Sequence, residues 1–230
     1  MGILIGALFL ITLTTAFGIY VLRARVCPPS IKPVVYFLVF TVLVEIIGCY
    51  PLVAYYTKYS FLPFIKDTVF MRNFWWYNIY SIVSTVFYGW YFSKQISSNN
   101  VTRIAHWVLV AFTVTAIIFL VITPVFFVAY SPFTVIGGAI LLILIIALYY
   151  WDILHSDKIL KIKALFPFYV SVGILVHQIC NTPLFIYSTF LNEAQNPLFV
   201  NLHKAVIFGT NVILYSLLII GFYRCSSKKK

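Results

Sequence analysis

The chain has 230 residues, of which 63% are hydrophobic, 19% aromatic and only 9% charged, and its mean hydropathy is +1.01. That composition excludes a soluble globular domain. The net charge of +11 would suit a nucleic-acid binder, but the basic residues fall in short connections between apolar runs, where topology and anionic lipid account for them.

About 20 apolar residues suffice for a helix to cross a hydrocarbon core roughly 30 Å thick. Seven runs qualify, over residues 3–22, 34–56, 73–92, 104–126, 133–151, 165–185 and 205–223. The longest gap, residues 57–72, is too short for a further domain, so 1–230 reads as a single all-α membrane domain, a seven-helix bundle. The first run has no basic segment before it, and Arg23 and Arg25 follow it, the pattern of a retained helix rather than a cleaved signal. Pro28 and Pro29 stop the helix between the first two runs.

The second run carries one acid, Glu45, near its middle. A carboxylate at that depth costs roughly 2.5–3.5 kcal/mol or more unless it is paired, neutral or wetted. Residues 57–72, interrupted by Pro63, are rich in aromatic and apolar side chains and are expected to lie along the outer interface. The third run opens with Trp75, Trp76 and Tyr77 and closes with Trp90 and Tyr91, as interfacial belts do.

The fourth and fifth runs are the most apolar and form a tight antiparallel pair, with Pro124 expected to kink or end the fourth. The fifth ends in Tyr149, Tyr150, Trp151, Asp152 and His155. Asp152 is expected to be a solvated charge beside Lys158 and Lys161. The sixth holds His177, Gln178, Asn181 and Pro183. A short outer loop with Glu193 leads to the seventh, which carries Thr210 and Asn211. No internal repeat of fixed period is visible.

Orientation follows from the basic residues. Twelve of the sixteen Lys and Arg lie in the first, third and fifth connections and the C-terminal tail, which includes Lys228, Lys229 and Lys230. The positive-inside bias then places the N-terminus outside and the C-terminus in the cytoplasm.

Glu45 lies about 16 Å along its helix from residue 34, and His177 about 18 Å from residue 165, so the two are expected at one depth. Glu45 shares a helix face with Thr41, Gly48 and Cys49, and His177 with Gly173, Cys180 and Asn181. Asn78, Ser81, Thr85 and Tyr88 form a comparable stripe on the third helix. Polar stripes turn away from lipid, so Glu45, His177, Asn211, Asn78, Ser81 and Asn181 are expected to converge on a midplane cluster. That cluster reads either as interhelical glue, worth about 0.6–2 kcal/mol per bond, or as a proton-responsive or ligand-binding site. A metal held by Glu45, Cys49, His177 and Cys180 is a weaker option, because the spacing permits it without demanding it.

No cofactor is expected. A retinal Schiff base needs a lysine deep in a helix, and here every Lys lies in a loop, a tail or a helix end. Membrane haem usually takes two histidines at one level, whereas His106 is near the cytoplasmic end of its helix. No hydrolase, metalloprotease or phosphate-loop motif occurs, so no enzymatic activity is expected. The cysteines, Cys27, Cys49, Cys180 and Cys225, avoid the outer loops, which argues against a disulfide framework.

The run Glu45-Ile46-Ile47-Gly48-Cys49-Tyr50, then Tyr77-Asn78-Ile79-Tyr80 with Phe87-Tyr88, and a last helix with Asn211 and Tyr215, resembles a group of small bacterial seven-helix membrane proteins. The resemblance implies a shared fold and points to Glu45, Gly48, Tyr50 and Asn78; it implies no activity. The resulting expectation is a multi-pass protein of the cytoplasmic (bacterial inner) membrane that senses or binds something small and signals through a partner. A proton- or cation-coupled transporter or channel is the alternative, and a structural subunit of a membrane complex a third.

Overall fold

Apolar runs this long leave the backbone no partner but itself in lipid, and helices result. The computed structural model describes residues 2–188 and 197–228; Glu193, Lys229 and Lys230 lie outside the described residues. Among these, nine α-helices carry the fold: α1 (Gly2–Ala24), α2 (Ile31–Gly48), α3 (Tyr50–Tyr56), α4 (Phe74–Ser93), α5 (Asn99–Ile122), α6 (Val125–Val128), α7 (Gly138–Leu154), α8 (Phe166–Ser188) and α9 (Pro197–Arg224). The one strand pairing described joins β1 (Arg25–Val26) to β2 (Ser227–Lys228), antiparallel, with Arg25 opposite Lys228.

Among the described residues six stretches are long and apolar enough to cross a membrane: Ile5–Ala24, Ile31–Tyr56, Asn99–Ile122, Phe133–Leu154, Phe166–Tyr187 and Pro197–Arg224. The chain is therefore a multi-pass helical protein suited to a lipid bilayer. The remaining long helix, α4, has 20 residues but carries Trp75, Trp76, Trp90, four tyrosines and Asn78. These side chains leave it outside the six.

The second run is not one continuous helix. It breaks at Cys49, between α2 and α3, because Pro51 has no N–H to offer the Ile47 carbonyl and its ring crowds the preceding turn. Pro124 likewise separates α5 from α6. The 57–72 segment folds into two 3₁₀ turns, Pro63–Ile65 and Val69–Met71, and exposes Phe61 and Phe64.

Contacts divide the chain, read from sequence as one domain, into two compact units: Met1–Val42 with Ile146–Lys230, and Leu43–Ile145. In the first, α8 and α9 form an antiparallel hairpin in which Phe166 stacks on Phe222 with centroids 5.1 Å apart. There α1 lies along α9. A Cβ on Gly6 would stand 3.0 Å from the Phe208 ring, and one on Gly18 3.1 Å from the Phe222 ring, so the two backbones approach closely. Tyr150 and Ser171 share a hydrogen bond of 2.7 Å between α7 and α8. Lys158 pairs with Asp152 at 3.1 Å, placing that acid beside its expected cation.

In the second unit, α4 and α5 pack antiparallel around Ile82, Ala116 and Leu120, with Val86, Phe112 and Phe126 against them. Ser93 at the end of α4 meets His106 Nε2 of α5 at 3.0 Å, which gives that histidine a structural partner.

Candidate functional site around Glu45

The helix break at Cys49 organises this site. Interrupting α2 frees backbone carbonyls in its last turn, and in lipid each freed group needs a donor. Asn73 supplies one through Nδ2, 2.7 Å from Gly48 O. One turn earlier the Trp76 indole N–H donates to Val44 O at 2.9 Å. Between them Tyr77 donates its hydroxyl to Glu45 Oε2 at 2.9 Å.

Gly48 makes that last bond geometrically possible. A Cβ there would lie 2.6 Å from the Tyr77 hydroxyl oxygen and 3.0 Å from its Cζ. The phenol lies across the bare backbone of Gly48 to reach the carboxylate one turn away. Among the described residues of this unit no Lys, Arg or His forms an ion pair with Glu45. Its partner is a neutral hydroxyl.

Aromatic rings surround this contact. The Tyr130 ring lies 6.3 Å from Tyr77 and 4.9 Å edge-on from Phe74. Tyr130 stands in the connection after α6, where burial first, and the Glu45 charge after it, push its phenol above the ordinary value. Tyr50, opening α3, has its hydroxyl 2.7 Å from Phe70 O and 2.9 Å from Arg72 O, and accepts the Trp75 indole N–H at 3.0 Å. It ties the 57–72 segment to the break.

Asn78 has another task. It is 1% exposed, and its Nδ2 donates to Phe126 O (3.1 Å) and Ala129 O (2.9 Å), while its Oδ1 accepts the Ser131 N–H (2.8 Å). All its polar capacity here goes to the end of α6 and the turn after it. Ser81, expected beside Asn78 in the cluster, is half-buried and its carbonyl accepts the Ser84 hydroxyl at 3.1 Å.

The other expected members belong to the first unit. Asn181 Nδ2 donates to His177 O (2.8 Å) and to Thr210 Oγ1 of α9 (2.9 Å). Among the described residues Asn181 Oδ1 and Thr182 Oγ1, both buried, have no hydrogen-bond partner. His177 and Asn211 are half-buried. The link from α8 to α9 is thus made by Thr210, while Asn211, the expected member, points elsewhere around the helix. Cys49 is half-buried at the break and Cys180 is exposed. Among the described residues no three His, Cys, Asp or Glu side chains gather as metal ligands would.

Sequence reasoning placed Trp75, Trp76 and Tyr77 in an interfacial belt, whereas all three polar tips have protein partners. The signal was available: Asn73, Trp76 and Tyr77 fall at i, i+3 and i+4, one helix face. Comparison with protein-family models, with curated proteins and with solved structures gives no match. The functional reading therefore rests on the chain's own chemistry.

Proposed function

We propose that this chain is a seven-span protein of the bacterial cytoplasmic membrane, N-terminus outside, and that Glu45 is the working group of a sensor-like bundle. The locus takes up a small ligand or a proton, and a partner at the basic cytoplasmic loops reads the change. The observation that carries this is the Glu45 carboxylate itself: in a membrane-spanning stretch its hydrogen bond comes from a neutral phenol. A group so placed is free to exchange that bond for a cationic or donor ligand. His177, with the orphaned Asn181 Oδ1 close by on its helix, is proposed as a second polar locus, within the other unit.

The count of seven has independent support. Gly6 meets Phe208 and Gly18 meets Phe222, so α1 and α9 run parallel. Parallel spans require an odd number of crossings between them. The α2–α3 stretch with α5, α7 and α8 supplies four, which favours α4 as the fifth. Its 20 residues reach about 30 Å, one hydrocarbon core. The β1–β2 pairing agrees, since it brings the connection after α1 and the C-terminal tail to one side. The basic residues concentrated there favour the cytoplasm.

The test compares wild type with Glu45→Gln and His177→Ala, purified and reconstituted. Glutamine still accepts the Tyr77 hydroxyl, so the fold should persist. A sensor gives no proton-driven flux, and its crosslinks from the cytoplasmic face change with Glu45→Gln. Flux abolished by Glu45→Gln would make the protein a transporter. Changes confined to stability or assembly would make the cluster structural.

A further inference from the structure

The Glu45 carboxylate has an unused half. Oε2 takes the Tyr77 hydroxyl at 2.9 Å, while among the described residues Oε1 accepts no hydrogen bond. Glu45 is half-buried rather than sealed. Beside it stands Tyr130, 41% exposed, whose hydroxyl also has no hydrogen-bond partner among the described residues. Burial, and after it the Glu45 charge, pushes that phenol above its ordinary value, so the two groups lie within electrostatic reach of each other.

Rings form a corner here. The Tyr77 and Tyr130 planes meet at 71° with centroids 6.3 Å apart, and Phe74 meets Tyr130 at 87° and 4.9 Å. Two rings set nearly at right angles let one cation lie within about 6 Å of both centroids, the range of cation–π attraction. The chain uses the same chemistry on a neighbouring ring, where the Arg72 guanidinium lies 5.8 Å from Phe74. Arg72 is exposed, where water and salt weaken its repulsion of a second cation.

The donor set narrows the occupant. A hard metal ion takes about six oxygens or more. Here the side chains offer one carboxylate and two phenols, and the nearby carbonyls of Gly48 and Val44 are already taken by Asn73 and Trp76. An anion would face the Glu45 charge. An alkylammonium suits both halves of the corner: its N–H groups meet Oε1 and the Tyr130 hydroxyl, and its charge is attracted to the ring faces. We infer that the corner between Tyr77 and Tyr130, with Glu45 at its base, binds an alkylammonium ion. The inference rests on the reading of Glu45 as a ligand-taking group and names the class of that ligand.

Saturation-transfer NMR on the full chain in maltoside micelles tests this, with methylammonium chloride exchanged for sodium chloride at constant ionic strength. Wild type should show saturable transfer with a millimolar Kd, as expected for so small a ligand. Tyr130→Leu, at an exposed position, should weaken binding about tenfold, and Glu45→Gln should abolish it. Trp107→Leu removes an exposed ring on α5 and should leave binding unchanged. No saturable transfer in wild type, transfer that persists in Glu45→Gln, or equal binding by wild type and Tyr130→Leu would each overturn the inference. Potentiometric titration of wild type against Glu45→Gln reads the function proposed for Glu45 separately: a proton taken up only by the wild type upholds that function even where methylammonium fails to bind.

Discussion

Replacing Gly48 with alanine tests the geometry on which the Glu45 contact depends. The new methyl would stand 2.6 Å from the Tyr77 hydroxyl oxygen and 3.2 Å from its Cε2, so the ring must retreat and the 2.9 Å bond to Glu45 must break. A hydrogen bond to an ionisable acceptor is worth about 1.5–3 kcal/mol, and overpacking adds roughly 1–3 kcal/mol. Within membranes the bond contributes less, about 0.6–2 kcal/mol. We therefore expect Gly48→Ala to cost about 2–4 kcal/mol in reversible unfolding from mixed micelles. Tyr77→Phe removes the same hydroxyl and the closest clash, so Gly48→Ala should cost at least about 1 kcal/mol less in that background, as expected for coupled neighbours. Strict additivity in the double-mutant cycle would refute the claim that Gly48 exists to admit the phenol.

Asn78→Ala strands two carbonyls and one N–H at the end of α6; a loss of about 3 kcal/mol is expected, with faster protease cleavage between residues 123 and 132. Asn181→Ala removes the bridge to Thr210 and should cost about 1 kcal/mol, and Thr210→Val should add little to it in the double variant. Tyr50→Phe should lower global stability by only about 1 kcal/mol yet raise hydrogen exchange in the 57–72 segment, whose carbonyls at Phe70 and Arg72 it holds.

The helices were legible because lipid imposes one simple demand, long apolar runs with internal hydrogen bonding, and every run predicted from sequence contains a helix. The interruption at Cys49 was not anticipated. Run length and hydropathy treat Pro51 as one more apolar residue, while its missing N–H acts on the turn before it. Glu45, Gly48, Tyr50 and Asn78 were all visible as candidates, but their chemistry was not. Asn78 shares a helical stripe with Ser81 and Thr85, yet its partners are 48 to 53 residues away, beyond any local face argument. Trp76 and Tyr77 show the same ambiguity from the other side. An aromatic at a helix end serves equally as an interfacial anchor or as a donor to a broken helix, and only tertiary packing decides. On α9 the sequence favoured Asn211 for its amide, whereas the neighbour Thr210, rotated about 100° around the helix, is the residue that meets Asn181.

The proposed topology depends on α4 crossing the membrane, since that crossing would give seven spans and fix the sides of the loops around Glu45. Sided labelling decides it directly: single cysteines at Phe61 and at Asn100, in a variant lacking the four native cysteines, are exposed to an impermeant maleimide in intact cells. The account predicts labelling at position 61 from outside and at position 100 only after the cytoplasmic face is opened. Labelling of both positions from the same side would contradict it.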